Sequence, residues 1–191
     1  MALEYEPDTR VAHWLVESGT PDGQLILFGP KSYEAYARIR FIPDPAGPGQ
    51  EEADVPLPPD HKPDLWQTQR VIHRLARFTT AENGYFGVWE GYSNIPLPTY
   101  DGLFELPHRR YAIFKGPLSA IDDWSVELGS GQPIAPPAFV WPVDRAWCFA
   151  SDVDPHWAGV GATREAVKML IRDEDIDAVE AIPEQRQPQY R

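Results

Sequence analysis

Cysteine is nearly missing from this chain. Cys148 is the single example in 191 residues, so no intramolecular disulfide can form and no cysteine cluster can hold a metal. A lone thiol fits a reducing compartment. The opening residues, Met1-Ala2-Leu3-Glu4-Tyr5-Glu6, supply neither a basic nor an apolar stretch, so no secretory leader is expected. No apolar run reaches the roughly 18 residues that a membrane helix needs. These absences lead us to expect a cytoplasmic protein with no membrane span. Positive charge is also scarce. Seventeen Lys and Arg face 29 Asp and Glu, for a net charge of −12. That balance disfavours nucleic acid, whose phosphates need cations, and suits a basic protein partner.

Signature motifs of catalysis are lacking too. There is no phosphate-cradling loop of the Walker type, no Gly-x-Ser-x-Gly elbow and no His-Glu-x-x-His pair. Gly159-Val160-Gly161 begins like a dinucleotide fingerprint, but Arg164 stands where the third glycine belongs. No cofactor is expected.

What the chain does have is apolar and aromatic material. Hydrophobic residues make up 42% of it, with seven Trp, eight Tyr and eight Phe. That is enough for a sizeable core without staples. We expect one α+β domain over residues 1–183, with a frayed polar tail at 184–191. Residues 8–18 read as a helix with Val11, Trp14 and Leu15 on one side. Residues 24–28 and 33–42 read as two strands of a hairpin around Gly29-Pro30-Lys31-Ser32. In the second strand Ala35, Ala37, Ile39 and Phe41 alternate with Arg38 and Arg40, which suits a sheet with one buried face. Residues 43–63 hold seven prolines and several acids, so they read as a long loop.

Residues 64–79 give the clearest helix, with Leu65, Trp66, Gln69, Ile72, Leu75 and Ala76 as its stripe. Strands are expected at 85–92, 103–106, 110–115, 139–141, 145–151 and 177–182, and a capped helix at 163–171. The fold class is therefore α+β: a mainly antiparallel, twisted sheet with about three helices packed chiefly on one face. Trp89, Phe114, Trp147 and Phe149 are the core candidates.

Three blocks carry a resemblance. They are Glu82-Asn83-Gly84-Tyr85-Phe86-Gly87-Val88-Trp89-Glu90-Gly91-Tyr92, then Leu106-Pro107-His108-Arg109-Arg110-Tyr111 with Gly116-Pro117-Leu118, then Pro142-Val143-Asp144-Arg145-Ala146-Trp147-Cys148 with Asp152-Val153-Asp154 and Val160-Gly161. Over residues 62–183 the chain resembles a family of uncharacterised bacterial proteins, common in actinobacteria. Val140 and Gly161-Ala162 depart from that family's usual aromatic residue and Gly-Gly. The resemblance implies a bacterial source and supplies no activity.

Three groups of residues could carry chemistry. Trp89, Glu90, Tyr92, Asp144, Arg145 and Trp157 could line an aromatic cleft that holds carboxylates, suited to a sugar, a cation or a basic peptide; the alternative is that the rings are core and Asp144-Arg145 an ion pair. Asp152, Asp154 and His156, at i, i+2 and i+4, could ligate a divalent metal; the alternative is turn residues bonded to backbone. Arg70, Arg74 and Arg77 could take an anion on the helix flank, or simply face solvent. Cys148, between Trp147 and Phe149, reads as an inert buried thiol. By thirds of the chain, 11 acids face 4 bases in residues 1–60, 5 face 7 in 61–115 and 13 face 6 in 116–191. The middle segment is thus the place for an anion. Two functions follow. The first is a non-enzymatic interaction protein, immunity- or antitoxin-like, that presents an acidic surface to a basic partner. The second is a small-ligand binder or hydrolase that uses the aromatic cleft.

Overall fold

The computed structural model describes residues 2–92, 95, 102–129 and 131–191. Among these residues nine strands form one sheet: β1 (Glu4–Tyr5), β2 (Ala35–Arg40), β3 (Asn83–Trp89), β4 (Phe104–Leu106), β5 (Arg109–Pro117), β6 (Phe139–Pro142), β7 (Cys148–Ala150), β8 (Trp157–Ala162) and β9 (Ala178–Ala181). Their order is β1-β5-β3-β6-β7-β8-β2-β9, with β4 sharing the outer edge of β5 with β1. Neighbouring strands run antiparallel, as expected. Among the described residues there are five α-helices: α1 (His13–Glu17), α2 (Asp22–Phe28), α3 (Asp64–Leu75), α4 (Trp124–Gly129) and α5 (Arg164–Arg172). None is long and apolar enough to cross a membrane.

The period of two decides which side chain joins which face. From β3, β5, β6 and β7, Phe86, Val88, Ala112, Phe114, Val140 and Phe149 enter one core beneath α3, α4 and α5. The residues between them, among them Ile113, Phe139, Trp141, Cys148 and Ala150, enter a second core with Leu15 of α1 and Leu25 of α2. The helices are therefore five rather than about three, and they cover both faces. Trp124, Trp141, Trp147, Trp157 and Tyr111 are almost fully buried, each side chain contributing about 2–3 kcal/mol by leaving water. Of the expected core residues, Phe114, Trp147 and Phe149 are buried, and Trp89 is only half-buried.

The expected hairpin of residues 24–28 and 33–42 is not formed. Residues 24–28 belong to α2, which follows Pro21 and ends at Gly29 (φ 74°), whose N–H bonds Leu25 O at 2.8 Å. A left-handed φ suits glycine at a helix end. β2 pairs instead with β8 and β9. In α3 the fully buried positions are Thr68, Val71, Ile72 and Leu75, so the stripe is rotated from expectation. Trp66 is half-buried, and Gln69 spends its amide on Ile121 O at 3.0 Å. α5 follows most of its pattern: Thr163 Oγ1 accepts the Ala166 N–H at 3.3 Å, and Ala166, Val167 and Leu170 are buried, whereas Ile171, expected on the same face, is exposed.

Candidate functional site

Of the six residues expected to line an aromatic cleft, Trp89 and Tyr92 meet, and the six do not share one site. Trp89, at the end of β3, stacks under the Arg109 guanidinium, 5.0 Å from its ring centre. Tyr92 meets Trp89 edge-on at 5.4 Å. Arg109 donates from Nε to Asp152 Oδ1 at 3.2 Å and from Nη2 to Oδ2 at 3.4 Å. Its Nη2 also lies 3.5 Å from Asp154. Burial, helped by the Asp152 charge and opposed by Arg109, raises the Tyr92 and Tyr111 hydroxyls above their ordinary range. This arrangement is a closed knot, with the cation a ligand would bring already supplied by the chain. Glu90 is paired separately with Arg110 at 2.7 Å.

Trp157 sits on β8, beyond β6 and β7, under the Arg38 guanidinium at 5.5 Å. Asp144 and Arg145 occupy the turn between β6 and β7 and do not pair with each other. Burial works to raise the Asp144 carboxyl, but hydrogen bonds from Thr79, Ala146 and Thr80 prevail and hold it below its ordinary value. Arg145 adopts φ 58° and places its guanidinium 5.1 Å from the Trp14 ring. Both serve the turn. The single thiol, Cys148, is fully buried, and desolvation raises it well above its ordinary value.

The metal triad does not assemble. Residues 152–156 form a loop before β8 rather than a continuous strand, so the period of two that would align them is broken. Asp152 faces Arg109, and the Asp154 side chain is 82% exposed. The His156 side chain is 1% exposed, with Nε2 3.1 Å from Asp44 Oδ1. Among the described residues no three His, Cys, Asp or Glu are placed to hold a metal ion.

Two of the three helix arginines are likewise committed. Arg70 is paired with Asp175, and Arg74 with Asp173, across the turn after α5. Among the described residues Arg77 has no such partner. Two signals escaped the sequence reading. One is the Arg38–Asp44–His156 network, which was visible only as an arginine inside an alternating strand. The other is Arg164, Lys168 and Arg172, four residues apart along α5 but hidden in an acidic third of the chain.

Several acids of the 43–63 loop stand at the surface. The 43–63 loop contains a single 3₁₀ turn, Glu52–Asp54, and carries Glu51, Glu52, Asp54 and Asp60 at its surface. Among the described residues none of these four makes an ion pair. The loop is nonetheless held. Asp44 binds Arg38 at 2.6 Å and Arg40 at 3.3 Å. Gln67 Nε2 donates to Phe41 O at 3.0 Å and to Lys62 O at 2.8 Å. The tail, residues 184–191, read from the sequence as frayed, lies against it: Arg191 N donates to Gln50 O at 3.0 Å, and the Tyr190 hydroxyl donates to Pro43 O. A cavity of about 270 Å³ beside it is lined by Glu52, Asp154, His156 and Tyr190, among others. A second groove, of about 470 Å³, has Leu57, Asp60 and Trp66 on its walls. Exposed carboxylates on a stiffened, anchored loop, with apolar residues between them, can accept guanidinium or ammonium groups.

Compared with family models, curated proteins and solved structures, the chain matches none.

Proposed function

We propose that the protein acts by binding, presenting the carboxylates of the 43–63 loop to a basic protein partner in the manner of an immunity protein or antitoxin. The observation that carries this reading is that Glu51, Glu52, Asp54 and Asp60 are exposed and, among the described residues, without an ion pair, while the loop bearing them is fixed to β2, α3 and the tail. Prolines and anchors reduce the entropy lost when such a loop is ordered by a partner. A net charge of −12 adds long-range attraction for a cationic partner and speeds encounter. The polar knot at Arg109 and the turn at Asp144 then serve as fixed structure.

The test compares two variants that each lose four charges. One carries Glu51→Gln, Glu52→Gln, Asp54→Asn and Asp60→Asn. The other carries Glu17→Gln, Glu82→Gln, Glu105→Gln and Glu180→Gln. Binding of an oligo-arginine peptide is followed by fluorescence anisotropy at two salt concentrations. The loop variant should bind about tenfold more weakly and the control within about twofold of the parent, because close pairs matter more than total charge. Equal losses in the two variants would mean that the peptide senses only net charge, and the proposal would be abandoned.

A further inference from the structure

A different face of the molecule gathers positive charge. Where the end of α3 lies beside α5, an open groove of about 950 Å³ has Arg74, Arg77, Arg164, Lys168 and Arg172 on its walls. The acids on the same walls are Glu34, Glu165 and Asp173. Asp173 is taken by Arg74, and Glu34 accepts the backbone N–H of Arg164 at 3.2 Å. Among the described residues Arg77, Arg164, Lys168 and Arg172 make no ion pair. On a chain of net −12, four unpaired cations around one concavity stand out against the average field.

Fold stability accounts for only one of them, Arg172, which lies in the last turn of α5 where the helix dipole favours a cation. Arg164, Lys168 and Arg172 follow one another at four-residue spacing on α5, where like charges repel by a few tenths of a kcal/mol. Arg164 is also the first residue of that helix, where the backbone dipole disfavours a cation. The side chains are exposed, so burial does not hold them either. An anion in the groove would relieve both costs. Arginine suits phosphate oxygens because its planar fork gives paired, charge-assisted bonds. Phe78 and Met169, both half-buried on the same walls, supply an apolar strip beside the cations.

We propose that this groove binds a small organic di- or triphosphate, with the arginines and Lys168 on its phosphates and Phe78 and Met169 against its organic part. The volume falls in the range of small-molecule sites. A compact ligand is favoured over an extended nucleic acid, because Glu34, Glu165 and the acidic surroundings would oppose a long polyanion.

The experiment titrates the protein with inorganic triphosphate and, separately, with adenosine triphosphate at low salt, by isothermal calorimetry. Both should bind at one site. The nucleotide should bind more tightly by about threefold or more, since its base adds apolar contact. The variant Arg164→Gln/Lys168→Gln/Arg172→Gln should lose about tenfold in affinity for both. A control, Arg10→Gln/Arg110→Gln/Arg186→Gln, should stay within about twofold, although it loses the same charge. Circular dichroism of each variant establishes that it is folded. Equal affinity for the two ligands would remove the role given to Phe78 and Met169 and overturn the organic-phosphate assignment. No saturation up to about 5 mM, equal losses in variant and control, or tighter binding of a single-stranded oligonucleotide would each overturn the proposal. The groove residues are distinct from the carboxylates changed in the peptide experiment, so each proposal can fail alone.

Discussion

At the scale of single residues, Arg38 carries the most consequential contact. Alternation along β2 placed it on an outward face, because the sheet was expected to have one buried side. The outward face is covered as well: Arg38 lies over the Trp157 ring, its side chain only 7% exposed, and needs a counter-charge within reach. Asp44 supplies it through two bonds, 2.6 and 3.0 Å long, and accepts further bonds from Arg40 and His156. Burial works to raise the Asp44 carboxyl, but the bonds from Arg38, His156 and Arg40 prevail and bring it down to about 2. A folded-state value below the ordinary 3.8 means that the stability Asp44 adds is complete above pH 3.8 and is lost as pH falls through about 2. With solvent screening that contribution is on the order of 1–2 kcal/mol. Asp44→Asn should cost more at neutral pH, about 2–4 kcal/mol, because it leaves a buried guanidinium without its partner charge. Urea unfolding at pH 7, and again between pH 4 and 2, checks both statements. The parent should lose stability through the acid range more steeply than Asp44→Asn. Parallel curves would show that the pair is solvated and carries little.

At the scale of elements, periodicity separates what the sequence displays from what it hides. α3, α5 and the β4–β5 hairpin each repeat at their own spacing over enough residues to be read, and all three are present. α2 is not readable in this way. Gln24-Leu25-Ile26-Leu27-Phe28 is a short, almost continuous apolar run, which fits a buried strand as well as a helix. β8 shows in the sequence only as the start of a dinucleotide fingerprint, because glycines take the places of the side chains that would display its alternation. α2 lies directly on β8, and a Cβ at Gly159 would run into the Leu27 carbonyl oxygen and the Phe28 backbone. Gly159→Ala should therefore lift α2 and destabilise the fold by about 3 kcal/mol or more, since the obstacle is backbone and cannot turn aside. Gly23→Ala, within α2 itself, meets nothing within 4 Å and should stabilise by about 0.5 kcal/mol through helix propensity. Opposite signs in thermal or denaturant unfolding are the required result. A neutral Gly159→Ala would show that the helix does not press on the strand.

At the scale of the whole molecule, charge and chain ends behave in ways a linear reading cannot resolve. Net charge by thirds placed the welcome for anions in residues 61–115, yet the positive groove is completed by Arg164, Lys168 and Arg172 from the acidic last third. Packing α5 beside α3 joins segments that no sequence window contains. The tail shows the same effect. Its composition is polar, so fraying was expected, but Pro188 O accepts the Trp157 indole N–H at 3.3 Å, and the Tyr190 ring meets His156 at 4.7 Å. With Tyr190 on Pro43 O and Arg191 on Gln50 O, the tail ties β8 to the start of the acidic loop. Removing residues 184–191 deletes these ties without touching Glu51, Glu52, Asp54 or Asp60. Global stability should fall by about 1–2 kcal/mol, the worth of a few hydrogen bonds and one aromatic contact. Protease cleavage within 43–63 should accelerate more than cleavage elsewhere, and Trp157 emission should shift to the red. Oligo-arginine should bind more weakly even though every loop carboxylate is still present, because a loosened loop must be ordered on binding. If affinity is unchanged while cleavage accelerates, the loop's charge alone is sufficient and its anchoring contributes nothing to recognition.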